Sequence, residues 1–146
     1  MYQVRDVMNE SVVTLSTTVT VGEAIRHLIE NHISGIPIVD EEGSLVGIIS
    51  EFQLLETLYS PNVKEMLVGD VMTQKVLTVS PEMALSEAVG LMIVHRIRRL
   101  PVIDNGRIVG IVSRRDLLQY TLDAGDKLDA FLNEFKGAAC SSSTGA

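Results

Sequence analysis

Ser113 and Asp116, in the stretch GIVSRRD at 110–116, have types and a spacing suited to holding a ligand. An apolar run ends at the serine and a helix-compatible run follows, so the pair falls at a strand-to-helix junction. A serine at that point caps the helix, and the first-turn amides with the helix dipole favour an anion such as a phosphate. An aspartate one turn in accepts charged hydrogen bonds from a pair of hydroxyls. The same residues also make a plain helix cap with an acid favoured by the dipole, and spacing alone does not separate the two readings.

Sixty-three positions earlier the chain reads GIISEFQ, with Ser50 and Gln53 in the same frame. Serine followed by glutamine at this spacing still makes a capping box, so the structural role is kept. The ligand role is weakened, because an amide offers one neutral acceptor where a carboxylate offers two charged oxygens. Charge follows the same asymmetry. Residues 96–115 hold six arginines (Arg96, Arg98, Arg99, Arg107, Arg114 and Arg115) against Asp104, a net of +5. The matching residues 33–52 hold Asp40, Glu41, Glu42 and Glu51 with no base, a net of −4. A polyphosphate therefore prefers the later stretch.

These junctions belong to a tandem repeat. VRDVMNESVVTLS (4–16) matches VGDVMTQKVLTVS (68–80), and GEAIRHLIENHISGIPIVDE (22–41) matches SEAVGLMIVHRIRRLPVIDN (86–105). Each copy reads β-α-β-β-α. A short β-rich run (Val12–Leu15; Val76–Val79) precedes a helix whose apolar residues recur at helical spacing, namely Val21, Ala24, Ile25, Leu28 and Ile29, then Leu85, Ala88, Val89, Met92 and Ile93. Two strands follow, joined by DEEG in the first copy and by the hairpin signal DNG in the second. The expected organisation is a first repeat over 1–60, a linker over 61–67 broken at Pro61, a second repeat over 68–122, a helix over 123–136 and a disordered tail over 137–146. The fold class is mixed α/β, and neither half buries enough alone. The two are expected to pack together about a pseudo-twofold axis. In the added helix, Leu128, Phe131, Leu132 and Phe135 share a face, Asp126 is placed to cap it and Gly137 to end it. That face is expected to cover the chain's own module or a dimer mate.

Composition narrows the function classes. The chain has 146 residues, a net charge of −7, 46% hydrophobic residues and 4% aromatic. An acidic chain with few stacking residues disfavours a nucleic-acid binder, although the arginine-rich stretch keeps that alternative open. One cysteine, Cys140, makes neither a disulfide framework nor a metal site. His27, His32 and His95 lack metal-ligand spacing, so no metal is expected. No Ser-His-Asp set, phosphate-binding glycine loop or other catalytic motif is present, and no enzyme activity is expected. No apolar run reaches membrane-spanning length and MYQVRDVMNE is not a signal peptide, so the expected location is the cytoplasm.

DVM at 6–8 and 70–72, GIPIVD with RLPVID, and GIIS with GIVSRRD together resemble the CBS domain, named after cystathionine β-synthase, across residues 3–122. The resemblance implies a regulatory pair of domains that binds an adenosine-containing ligand (AMP, ADP, ATP or one like S-adenosylmethionine) between its repeats. It implies Asp116 on the ribose, Ser113 on phosphate, and basic help from Arg98, Arg99, Arg114 and Arg115. It further implies an adenine slot among Met72, Val76, Leu77, Ile97 and the chain at Arg98–Leu100. A homodimer and an unidentified regulated protein are implied as partners, with the nucleotide a regulatory ligand and no resident cofactor. The alternative from another class is a ligand-silent dimerisation scaffold, which Gln53 favours and Asp116 opposes.

Overall fold

The computed structural model describes residues 1–143, with side chains through Gly137. It divides into two compact units. The first unit takes Met1–Val12, Leu77–Asn105 and the chain from Val109 onward; the second takes Val13–Val76 with Gly106–Ile108. The repeats and the compact units therefore do not coincide. The leading segment of each repeat folds with the sheet of the other repeat.

In the second unit β1 (Leu15–Ser16) pairs parallel with β2 (Gly35–Val39), which pairs antiparallel with β3 (Leu45–Ser50). α1 (Val21–Asn31) starts where the Thr20 hydroxyl accepts the Glu23 amide at 3.2 Å. α2 (Glu51–Thr57) follows β3 directly, and a 3-10 turn (Val63–Glu65) packs on α1 before the single-turn helix α3 (Val68–Val71). The stretch expected to be a linker is thus partly ordered, since Val63 and Met66 supply apolar contacts to this core.

In the first unit α4 (Leu85–His95) precedes the pair β4 (Arg99–Asp104) and β5 (Arg107–Ser113), and α5 (Arg114–Asp123) follows. The DNG turn forms as the sequence requires, with Asn105 and Gly106 at φ 51° and 78°. The expected strand at 76–79 shrinks to a bridge between Val79 and Val102, and its counterpart forms only over Leu15–Ser16. α1 and α4 end alike, on His32 and Arg96 in the left-handed region at φ 53°.

The two cores are equivalent residue by residue. Val4, Val79, Leu85, Ala88, Met92, Leu100, Val102, Val112 and Leu117 in one unit match Val68, Leu15, Val21, Ala24, Leu28, Ile36, Ile38, Ile49 and Leu54 in the other. Phe131 alone has no counterpart. It comes from α6 (Leu128–Ser143), which packs on α4. α6 is led in by the 3-10 turn Gly125–Lys127 and runs through Gly137, where the sequence suggested an end and a disordered tail. Ala138 and Ala139 favour helix strongly, and one interior glycine costs only about 1 kcal/mol. Residues 144–146 of the expected tail lie outside the described residues.

Each leading segment forms a strap along its host sheet. Asn9 and Ile111 exchange backbone hydrogen bonds of 2.8 and 3.0 Å, and Thr73 and Ile48 do the same at 2.9 Å. The backbones approach closely because Gly110 and Gly47 face them. A Cβ at Gly110 would fall 2.8 Å from Met8 Sδ, and one at Gly47 would fall 2.9 Å from the Thr73 carbonyl oxygen. Gly110→Ala and Gly47→Ala should each cost about 1–3 kcal/mol by overpacking. Gly90→Ala, in α4 with nothing within 4 Å of the new methyl, should instead stabilise by about 0.5–1 kcal/mol. Urea denaturation of the three variants measures both signs.

Candidate functional site

The site is built at the start of α5. Ser113, the last residue of β5, caps the helix: its hydroxyl accepts the Asp116 amide at 3.1 Å, and its own amide donates to Asp116 Oδ2 at 3.2 Å. The Arg114 amide donates to the Arg98 carbonyl at 3.0 Å, tying the helix start to the residue before β4. Two of the first-turn amides are thereby satisfied. Asp116 is half-buried, and among the described residues its Oδ1 accepts no hydrogen bond. The cap thus uses one carboxylate oxygen and leaves the other available.

The matching junction in the second unit has the same frame and a different outcome. The Glu51 amide donates to the Ser34 carbonyl at 3.0 Å, as Arg114 does to Arg98. Gln53 Oε1 accepts the Ser50 amide at 2.9 Å and the Ser50 hydroxyl at 3.3 Å, while Gln53 Nε2 donates to the Thr73 hydroxyl. Both ends of the amide are engaged by the protein itself. Asn9 stands where Thr73 stands, but its Oδ1 turns back to accept the Ser11 amide at 2.9 Å. Among the described residues Asp116 has no such closing partner.

The residues expected at one site are divided between the two units. Ser113, Arg114, Arg115, Asp116, Ile97, Arg98, Arg99, Leu100 and Leu77 lie in the first unit. Met72 and Val76 lie in the second, where Met72 packs over Gly47 beside Thr73. In the unit that holds Asp116, the equivalent place over Gly110 is taken by Met8 and Asn9. Sequence reasoning missed these two because it kept each leading segment with its own repeat. The glycines in LVGIIS and RIVGIVS signal a close approach but not which segment makes it. Leu100 is fully buried in the core. Leu77 and Ile97 remain partly accessible, Arg98, Arg114 and Arg115 are exposed, and Arg99 is half-buried. Arg107 itself belongs to the second unit, where it bridges Ser44 with its guanidinium beside Gly43 of the acidic turn.

One turn beyond Asp116, burial first, then the Tyr2 phenol and the Asp6 carboxylate, push the Tyr120 phenol above its ordinary value. Among the described residues no group of three or more histidine, cysteine or acidic side chains is placed to hold a metal. None of their helices is long and apolar enough to cross a membrane.

Known proteins share this fold. An uncharacterized protein of Methanopyrus kandleri is 40% identical over 119 residues, which cover 80% of this chain and 61% of that protein. The inosine-5'-monophosphate dehydrogenase of Methanocaldococcus jannaschii is 38% identical over 92% of this chain, which spans 27% of that enzyme. The crystal structure of CBSX2 in complex with AMP superposes with a TM-score of 0.78 at 30% identity, covering 86% of this chain and 99% of that one. The CBS domain pair of protein MJ0100, in complex with 5'-methylthioadenosine and S-adenosyl-L-methionine, superposes with a TM-score of 0.75 at 30% identity, covering 87% and 99%. The CBS domain model matches twice, over residues 4–60 and 68–123. The chain belongs to the CBS domain family, as a tandem pair of repeats.

Proposed function

We propose that this chain is a regulatory module that binds an adenosine-containing ligand at the β5–α5 junction of the second repeat. The observation that carries the reading is the contrast between the two junctions. Asp116 keeps one carboxylate oxygen unengaged at a helix start, whereas Gln53 is closed on Ser50 and Thr73. The unengaged oxygen, with Oδ2 beside it, suits the two ribose hydroxyls. Ser113 and the α5 N-terminus suit a phosphate, with charge from Arg98, Arg99, Arg114 and Arg115. Leu77 and Ile97 offer apolar surface to a base, and Met8 joins them from the strap. AMP in CBSX2, and 5'-methylthioadenosine and S-adenosyl-L-methionine in the MJ0100 pair, support this ligand class. The ligand acts as a signal and not as a resident cofactor for chemistry in this chain. It regulates a partner protein only by the difference in its affinity for two states of the module.

The module works as a homodimer. Large apolar residues stay exposed at equivalent positions of both units: Ile29 and Ile93, Leu55 and Leu118, Tyr59 and Leu122. Their exposures run from 59% to 95%, and a second copy presents the same two faces. A ligand-silent dimerisation scaffold is the second reading, favoured by the closed junction at Gln53.

Three outcomes follow. Charged hydrogen bonds are worth roughly 1.5–3 kcal/mol each, so Asp116→Asn should weaken AMP at least about tenfold. The variant should remain folded, because an amide already caps α2 at Gln53. Calorimetry that finds parent-like AMP binding by folded Asp116→Asn overturns the ribose role and favours the scaffold. In an Asp116→Asn background, Gln53→Asp should release Thr73 and raise binding of adenosine more than of ATP, since Glu51 still repels phosphate. Finally, light scattering at micromolar concentration should give twice the 15.9 kDa chain mass. Leu118→Glu with Leu122→Glu should return it to one chain.

A further inference from the structure

α6 has no counterpart in the second unit, and it meets the two other elements that frame the Asp116 junction. Phe131 is buried against Tyr2 of the strap at 5.1 Å between ring centroids and against Tyr120 of α5 at 5.3 Å. Phe135 adds an edge contact to Phe131 at 5.0 Å. One turn along α6 from Phe131, Glu134 accepts the Tyr2 amide with both carboxylate oxygens, at 2.9 and 3.0 Å. Tyr120 lies one turn after Asp116 on the same helix. Tyr2 opens the strap that ends on Ile111, two residues before Ser113.

The second unit supplies an internal control. Its strap makes the same backbone bonds: Val21 to Met66, Val68 to Val19 and Gly69 to Thr17 match Leu85 to Tyr2, Val4 to Met83 and Arg5 to Pro81. There the helix beside the strap, α1, is packed by the 3-10 turn Val63–Glu65 that runs straight into the strap. In the first unit α4 is packed instead by α6, which is distant in sequence from its strap and holds it through the side chains of Phe131 and Glu134. A hold of that kind can be released without altering the chain elsewhere.

We propose that α6 is a ligand-coupled latch: Glu134 and Phe131 hold the strap and α5 together, and a nucleotide at Ser113 and Asp116 strengthens that hold. The proposal rests on the nucleotide reading above. When the site is empty, α6 detaches more often. The coupling is reciprocal, so loosening the latch must weaken the ligand by the same factor that the ligand tightens the latch.

The test is hydrogen exchange by mass spectrometry on the full chain, with and without saturating AMP, alongside calorimetry. In the parent, AMP should slow exchange about fivefold or more in peptides covering residues 3–9 and 128–137. Glu134→Ala should speed exchange in both segments and weaken AMP by a similar factor. Glu134→Gln keeps the shape and one acceptor, should shift both readouts in the same direction by less, and serves if the alanine variant fails to fold. If AMP binds and neither segment is protected, the latch is wrong and the nucleotide reading stands. If AMP, ADP, ATP and S-adenosylmethionine all fail to bind the parent, the nucleotide reading fails and the ligand-coupled latch fails with it.

Discussion

The close approach of a strap to a sheet edge is the constraint on which both units depend. β3 and β5 each carry polar backbone groups that need partners. Each finds them in the leading segment of the other repeat, through Thr73 and Ile48 in one unit and Asn9 and Ile111 in the other. The approach requires glycine at 47 and 110, because a Cβ there collides with the strap. It also carries Val4 and Val68 into their host cores, where both are fully buried. An exchanged segment makes each unit incomplete without a piece of the other repeat. This explains, in terms of backbone satisfaction and burial, why the repeats occur as a pair.

On that shared frame the two junctions have diverged by one side chain and its partner. The Ser50 and Ser113 amides donate alike to the side chains of Gln53 and Asp116, and the amides of Glu51 and Arg114 are tied down alike. The difference is what remains after capping. Gln53 bonds back to Ser50 and across to Thr73, so its polar atoms are engaged. Asp116 has an oxygen left over, and Asn9 turns away to Ser11. A functional asymmetry thus needs no change of fold. The cap secures the helix in both copies, and only the second retains acceptor capacity beyond it.

The aromatic residues are few, and four of them gather in one place. Tyr2, Tyr120, Phe131 and Phe135 join the strap, α5 and α6 by edge and tilted contacts in the usual range for aromatic pairs. Phe131 extends a core that is otherwise matched residue for residue in the second unit. The unit that holds Asp116 is also the one with this extra layer, which places α6 against the helix that carries Asp116.

The sequence alone determined the repeat, the β-α-β-β-α order, the helix starts at Ser50 and Ser113, the DNG turn and the apolar stripe of α1 and α4, of which Ile29 and Ile93 stay exposed. These are local properties: helical spacing, turn chemistry and capping act over a few residues, so they are legible in one dimension. The contrast between Asp116 and Gln53 was legible for the same reason. Tertiary structure decided which strap lies on which sheet. Two near-identical segments, VRDVMN and VGDVMT, fit either edge as strings, and only chain path and burial assign Met8 to Gly110 and Met72 to Gly47. It also decided that Thr73 closes on Gln53, that Arg107 bridges Ser44, and that Glu134 reaches Tyr2 across 132 residues. Those pairings join residues far apart in the chain, and no periodicity or local propensity encodes a partner at that distance.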